Sequence, residues 1–114
     1  KPATVSRSKK AVTMGNIGVL IKQINRLWGT KTRLWITEYG YQTNPPDRLF
    51  GVSYRNQALY MRQAVAMARK TQRIDMFVWF LIRDEGRLSG WQSGVMTRRG
   101  VRKPAYRTFQ TFAR

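Results

Sequence analysis

Apolar positions along this chain alternate between two periods. Ile17, Leu20, Ile21, Ile24, Leu27 and Trp28 recur at helical spacing, with Lys22, Gln23 and Arg26 elsewhere. A helix is predicted over 13–29, with Thr13 as its cap and Gly29 as its stop. Residues 33–39, "RLWITEY", are short, apolar and rich in aromatic and β-branched types, which predicts a strand. Over 53–70 the helical period returns. Ala58, Met61, Val65 and Ala68 form the apolar stripe, and Arg55, Arg62 and Arg69 fall on another face. Residues 73–82, "RIDMFVWFLI", are apolar almost throughout, as in a strand covered on both faces. Pro104 suits the first turn of a last helix over 103–113 bearing Tyr106, Phe109 and Phe112. Residues 1–12 are polar, basic and aperiodic, and read as a loop. The order α-β-α-β-α predicts an α/β chain with parallel strands and helical crossovers.

Both segments that follow strands are long: "GYQTNPPDRLFG" and "RDEGRLSGWQSGVMTRRGVR". In α/β barrels and open sheets, loops at the C-terminal ends of strands build the active site. Glu38 ends the first strand, and Asp84 and Glu85 follow the second, so three of the chain's 5 acids fall at one predicted edge. Parity places Leu34, Ile36 and Glu38 on one face and Arg33, Trp35 and Thr37 on the other. A carboxylate at a barrel mouth is partly desolvated and needs compensation. The plain structural reading pairs Glu38 with a nearby arginine. The plain reading of "RDEGR" is a solvated, salt-bridged loop.

Composition narrows the chemistry. With no His and no Cys among 114 residues, acid–base work falls to carboxylates, Tyr or Lys. There is no thiolate site, no predicted metal ligand set and no predicted cofactor. At 42% hydrophobic and 12% aromatic, the chain can bury a core. No apolar stretch reaches the roughly 18 residues of a membrane span, so no membrane association is expected. The chain starts at Lys1-Pro2 rather than Met, as an excised piece would. The net charge of +17 raises a polyanion-binding reading.

Three stretches, "LWITEYGYQT", "DMFVWFLIRDE" and "GWQSGVMTRRGVRKPAYRTF", resemble the C-terminal part of the retaining glycoside hydrolases built on a (β/α)8 barrel. The likeness is nearest to bacterial glycosyl-hydrolase-like proteins. The resemblance implies βα units of a TIM barrel, helix six to helix eight, incomplete as a barrel on their own. Trp35, Thr37, Glu38 and Gly40 match the W-x-T-E-x-G pattern that ends strand seven, which implies that Glu38 is the catalytic nucleophile. Trp79 matches the tryptophan that floors the cleaved sugar's subsite. Gly94, Gly100, Lys103, Pro104, Ala105 and Tyr106 match the closing loop and last helix. The acid/base Glu that follows strand four has no counterpart here, which implies no turnover by this piece alone.

Beside Glu38, the candidate substrate-binding residues are Trp79, Tyr39, Tyr41, Trp91, Asp84 and Glu85. Aromatic rings stack on the apolar faces of pyranoses, and polar side chains read hydroxyls. Core packing is an equal reading for Trp79, and helix–sheet packing is the simplest one for Trp28 and Trp35. Asp75 reads as a structural ion pair. The expected partners are an oligo- or polysaccharide and the rest of the barrel, a complementing chain or a second copy, since two strands leave edges and a lumen face bare. The competing classes are a basic nucleic-acid module, whose cations are too dispersed for a clear patch, and a barrel fragment that binds carbohydrate without cleaving it. The resemblance is consistent with an extracellular setting; the residues themselves do not name a compartment.

Overall fold

The computed structural model describes residues 1–8 and 10–113, so residue 9 of the expected loop over 1–12 lies outside the described residues. A 3-10 turn, Met14–Asn16, leads into α1 (Ile17–Trp28). β1 (Leu34–Tyr39), α2 (Tyr54–Lys70), β2 (Ile74–Trp79) and α3 (Pro104–Phe112) follow. β1 and β2 are parallel neighbours in a two-stranded sheet. A parallel pair cannot be joined by a tight turn, and here a helical crossover makes the connection. The chain divides into two compact units, Lys1–Ile36 with Gln63–Phe77, and Thr37–Arg62 with Val78–Arg114.

In the first unit, Met14, Ile24, Ala64 and Ala68 are buried. The stretch read as one helix from residue 13 begins as a tighter turn. Asn16 Oδ1 accepts the Thr13 backbone N–H at 2.6 Å, while the Thr13 hydroxyl donates to Thr4 O at 2.8 Å. Thr13 thus marks the start, and its hydroxyl lies between Thr4 O and Asn16 Oδ1, the latter 3.0 Å away. Arg73 fastens the end of α1 and the following turn. Its guanidinium donates to Asn25 Oδ1 at 2.7 Å and to Thr32 O, and Leu34 N–H donates to Arg73 O at 2.8 Å. Arg33 and Asp75 form an exposed ion pair across the two strands, 2.5 Å at its shortest. The Arg33 hydrogen bond holds the Asp75 carboxyl below its ordinary value.

Two tryptophans depart from the expectation of helix–sheet packing. Trp28 is 69% exposed and Trp35 65%. Along β1, Leu34 and Ile36 are half-buried while Trp35 and Thr37 are exposed. The barer face is therefore the one that carries Trp35, not the one that carries Leu34 and Ile36. Met76 and Val78 of β2 are exposed too, so that strand is not covered on both faces. Period-two alternation decides which side chains share a face; it does not decide what covers the face.

The second unit buries Ala58, Tyr60 and Met61 of α2, Trp79, Val95, and Ala105 and Thr108 of α3. Gln57, fully buried on α2, donates its amide to the carbonyls of Tyr41, Ser93 and Gly94 at 3.1, 3.0 and 3.2 Å. One helix side chain thus holds backbone from both long loops. Arg62 donates to Thr108 Oγ1 at 3.3 Å.

These environments predict unequal costs of substitution. Met61→Ala removes a side chain that is 1% exposed and destabilises the chain by about 2–5 kcal/mol. Asp75→Asn cuts only a solvated pair and leaves the urea midpoint almost unmoved. Equilibrium urea unfolding of both variants checks the contrast.

Candidate active site

The site is assembled where the strands end. Phe80 N–H donates to Tyr39 O at 2.8 Å, continuing the parallel pairing one residue past β2. Gly40 follows immediately. A Cβ at that position would run into the carbonyl oxygen of Phe80, so the two strand ends close this far only over glycine. Ser93 locks the same point from the second loop. Its hydroxyl donates to Phe80 O at 2.6 Å, and its own carbonyl accepts the Trp79 indole N–H at 3.0 Å.

A cleft of about 140 Å³ opens at this junction. Glu38, Tyr39 and Gly40 line it from β1, and Gln42 from the first loop. Phe80, Trp91 and Ser93 line it from the segment after β2. Glu38 is exposed there. Trp91 stands edge-on to Phe80, with ring centroids 5.8 Å apart, and is half-exposed. Gln42 is fixed by its side-chain oxygen, which accepts Gln92 N–H at 2.6 Å.

Behind the cleft lies an aromatic layer. Tyr39 meets Tyr41 edge-on at 5.9 Å and Trp79 at 6.1 Å, and Tyr41 meets Tyr60 at 4.9 Å. The Tyr39 and Tyr41 hydroxyls are 3.4 Å apart. Burial is the main reason both phenols are pushed above their ordinary range.

Of the residues singled out in the sequence, Glu38, Tyr39 and Trp91 line one cleft. Tyr41 and Trp79 do not line it; they back Tyr39, and Trp79 is buried. Glu85 is exposed, and its backbone N–H donates to Trp91 O at 2.9 Å, which shapes the turn that presents Trp91.

Asp84 requires a correction, because it is neither solvated nor in the cleft. Its Oδ1 accepts Lys103 Nζ at 2.7 Å and Gly94 N–H at 2.8 Å, and both side chains of the pair are almost fully buried. Lys103 also donates to Thr43 Oγ1 at 2.8 Å and Gln92 O at 3.2 Å, so its three protons all have acceptors. Burial lowers the Lys103 pKa, and Asp84 works in the opposite direction. Sequence reading did not assign this role to Lys103, Thr43 or Gln92. A signal was present: a lysine directly before the N-terminal Pro104 of a helix faces the positive end of the helix dipole and needs a partner.

Among the described residues no three acidic side chains gather as a metal site would need, and no helix is long and apolar enough to cross a membrane. Many cations are bound to protein groups. Besides Arg33, Arg62, Arg73 and Lys103, Arg83 donates to Arg98 O at 3.1 Å.

Two predictions come from this geometry. Lys103→Met strands a buried carboxylate and destabilises the chain by about 3–5 kcal/mol, whereas adding Asp84→Asn recovers part of the loss. Denaturant unfolding of the two variants checks this. The second concerns alkaline pH. A phenol whose folded pKa is raised stabilises fully below the unfolded value of about 10 and loses that share as pH rises further. Lys103, with its folded pKa depressed, has the opposite slope just below about 10.4. Stability therefore holds or gains up to about pH 10 and falls above it. Tyr39→Phe with Tyr41→Phe flattens the fall, read from urea midpoints between pH 8 and 12.

Comparisons with known proteins bear on the fold and the family. The family model for the glycosyl hydrolase catalytic core matches residues 11–109. A β-D-glucuronidase of Dictyoglomus thermophilum superposes with a TM-score of 0.62 at 13% identity, covering 89% of this chain and 19% of that one. The Ruminococcus gnavus β-glucuronidase bound to uronic deoxynojirimycin gives 0.59 at 21% identity, covering 84% of this chain and 19% of that one. The same enzyme bound to uronic isofagomine gives 0.60 at 21% identity, with 84% and 18% covered. The chain thus spans about a fifth of the length of these neighbours. Nothing matches among curated proteins. Its two parallel strands and three helices correspond to part of a TIM-barrel glycoside hydrolase. With nearly all of its length matched, the chain belongs to the glycosyl hydrolase catalytic core family.

Proposed function

We propose that this chain supplies the nucleophile and part of the sugar-binding wall of a retaining O-glycoside hydrolase. The observation that carries the reading is the position of Glu38. It stands next to last in β1 and opens into a cleft walled by Tyr39 and Trp91, in a chain of a glycosyl hydrolase family. Glu38 attacks the anomeric carbon as the bond to the leaving oxygen breaks, and that oxygen takes a proton from a second carboxyl group. Water then adds to the glycosyl–Glu38 ester, gives up its proton to the second carboxylate and frees Glu38.

Retaining chemistry places the two carboxyls about 5–5.5 Å apart. Glu38 is the one carboxylate lining the cleft among the described residues. Asp84 is held by Lys103. The proton donor therefore comes from barrel segments outside this sequence, and the substrate is a carbohydrate held between them and this cleft. Trp91 and Tyr39 offer faces to the sugar's C–H surface, and Gln42 and Ser93 bring polar atoms.

In a protein that carries this chain within a complete barrel, Glu38→Gln lowers kcat on a panel of 4-nitrophenyl glycosides at least about 10³-fold while KM changes far less. Turnover that survives the substitution sinks the nucleophile assignment. The 114-residue chain alone is expected to hydrolyse none of the panel, measured in the same assay.

A further inference from the structure

The second unit also holds a separate cavity of about 230 Å³. None of its lining residues lines the cleft at Glu38. Pro45, Pro46 and Tyr54 line it from the first long loop and the start of α2. Thr97, Arg98 and Arg99 line it from the second long loop.

A tight turn presents the two arginines. Gly100 N–H donates to Thr97 O and Thr97 N–H to Val101 O, both at 2.8 Å, and Val101 N–H donates to Thr97 Oγ1 at 3.1 Å. Gly100 closes the turn at φ +81°, a left-handed angle that glycine adopts without strain. Bridges from Met96 to Arg83 and to Arg102 anchor the stem. The Thr97 hydroxyl accepts the Val101 proton and keeps its own for a ligand. Burial raises the Tyr54 phenol above its ordinary range, and Asp84 adds to the shift, so Tyr54 stays a donor at neutral pH.

The charge at this turn is unbalanced. Arg83 Nε donates to Arg98 O at 3.1 Å, which brings a third guanidinium to the same place. Arg98 Nη1 reaches Gly86 O at 3.4 Å, and both Arg98 and Arg99 are exposed. Among the described residues none of the three arginines has a carboxylate partner. Asp84 lines the cavity too, but its charge is already matched by Lys103. Like charges gathered at one turn repel, and a bound anion relieves them.

We propose that this cavity binds a small organic phosphate, a phosphomonoester whose apolar part lies against Pro45, Pro46 and Tyr54. The inference does not depend on the glycosidase reading. Guanidinium forks match phosphate oxygens in pairs. A phosphomonoester carries about −1.5 to −2 charges at pH 7, which answers two arginines, whereas a carboxylate brings one. A bare anion would leave much of the volume empty, since a water takes only about 30 Å³. The wall that remains is two proline rings and a tyrosine ring, which suits carbon.

The test is isothermal titration calorimetry of the 114-residue chain with phenyl phosphate, inorganic phosphate and benzoate. Saturable one-to-one binding of phenyl phosphate is expected, about tenfold or more tighter than of either simpler anion. Arg98→Gln and Arg99→Gln should each weaken it about tenfold, the effect of losing a charge-assisted hydrogen bond. Lys22→Gln, at an exposed position on α1, removes the same charge and should change binding less than about twofold. No saturable heat, or an equal loss from Lys22→Gln, overturns the proposal. Inorganic phosphate binding as tightly as phenyl phosphate overturns the organic part, and benzoate binding as tightly overturns the phosphate. A single strand of about ten nucleotides that binds more tightly than phenyl phosphate overturns it in favour of a nucleic acid. Comparing the three anions needs no variant, so it decides the ligand class even where a substitution perturbs folding.

Discussion

The buried pair of Lys103 and Asp84 is the interaction on which the site-bearing unit depends. Asp84 follows β2, Lys103 stands at the start of α3, and the ammonium also reaches Thr43 after β1 and the carbonyl of Gln92. Both long loops and the start of α3 therefore meet at one charge. A buried ion pair is weak evidence of net stability, because desolvation cancels much of its attraction. Its value here is geometric. Removing either partner leaves a charge that the interior cannot solvate, so the loops are confined to arrangements that keep the pair intact.

The cleft draws on this confinement. Gln92, held through its carbonyl by Lys103, in turn fixes Gln42 and the turn before Trp91. Ser93 next to it ties Phe80 and Trp79 to the same loop. The proposed nucleophile, by contrast, needs no such network to be placed. Glu38 is put at the mouth by the length of β1 and by the close approach that Gly40 permits. The rigid parts of the site are thus its walls. Pre-ordered walls bind with less entropy lost per contact, which is the use the proposed sugar site would make of them.

What the residues themselves disclosed was what local rules can carry. The helical spacing of Ile17 to Ile24 and of Ala58 to Ala68, the aromatic and β-branched run at β1, and Pro104 at a helix start each express a short-range preference of backbone or side chain. They led to the order of elements and to Glu38 at a strand end, and the motif around Glu38 led to the family. Tertiary structure alone decided which faces were covered and which charges were buried. Alternation and helical period assign Trp35 and Trp28 to faces without saying what lies against them, and in this chain both are exposed. Asp84, set among arginines in "RDEGR", is instead paired with a lysine 19 residues further on. Burial is a property of everything packed around a group, and sequence neighbours are a small part of that surrounding.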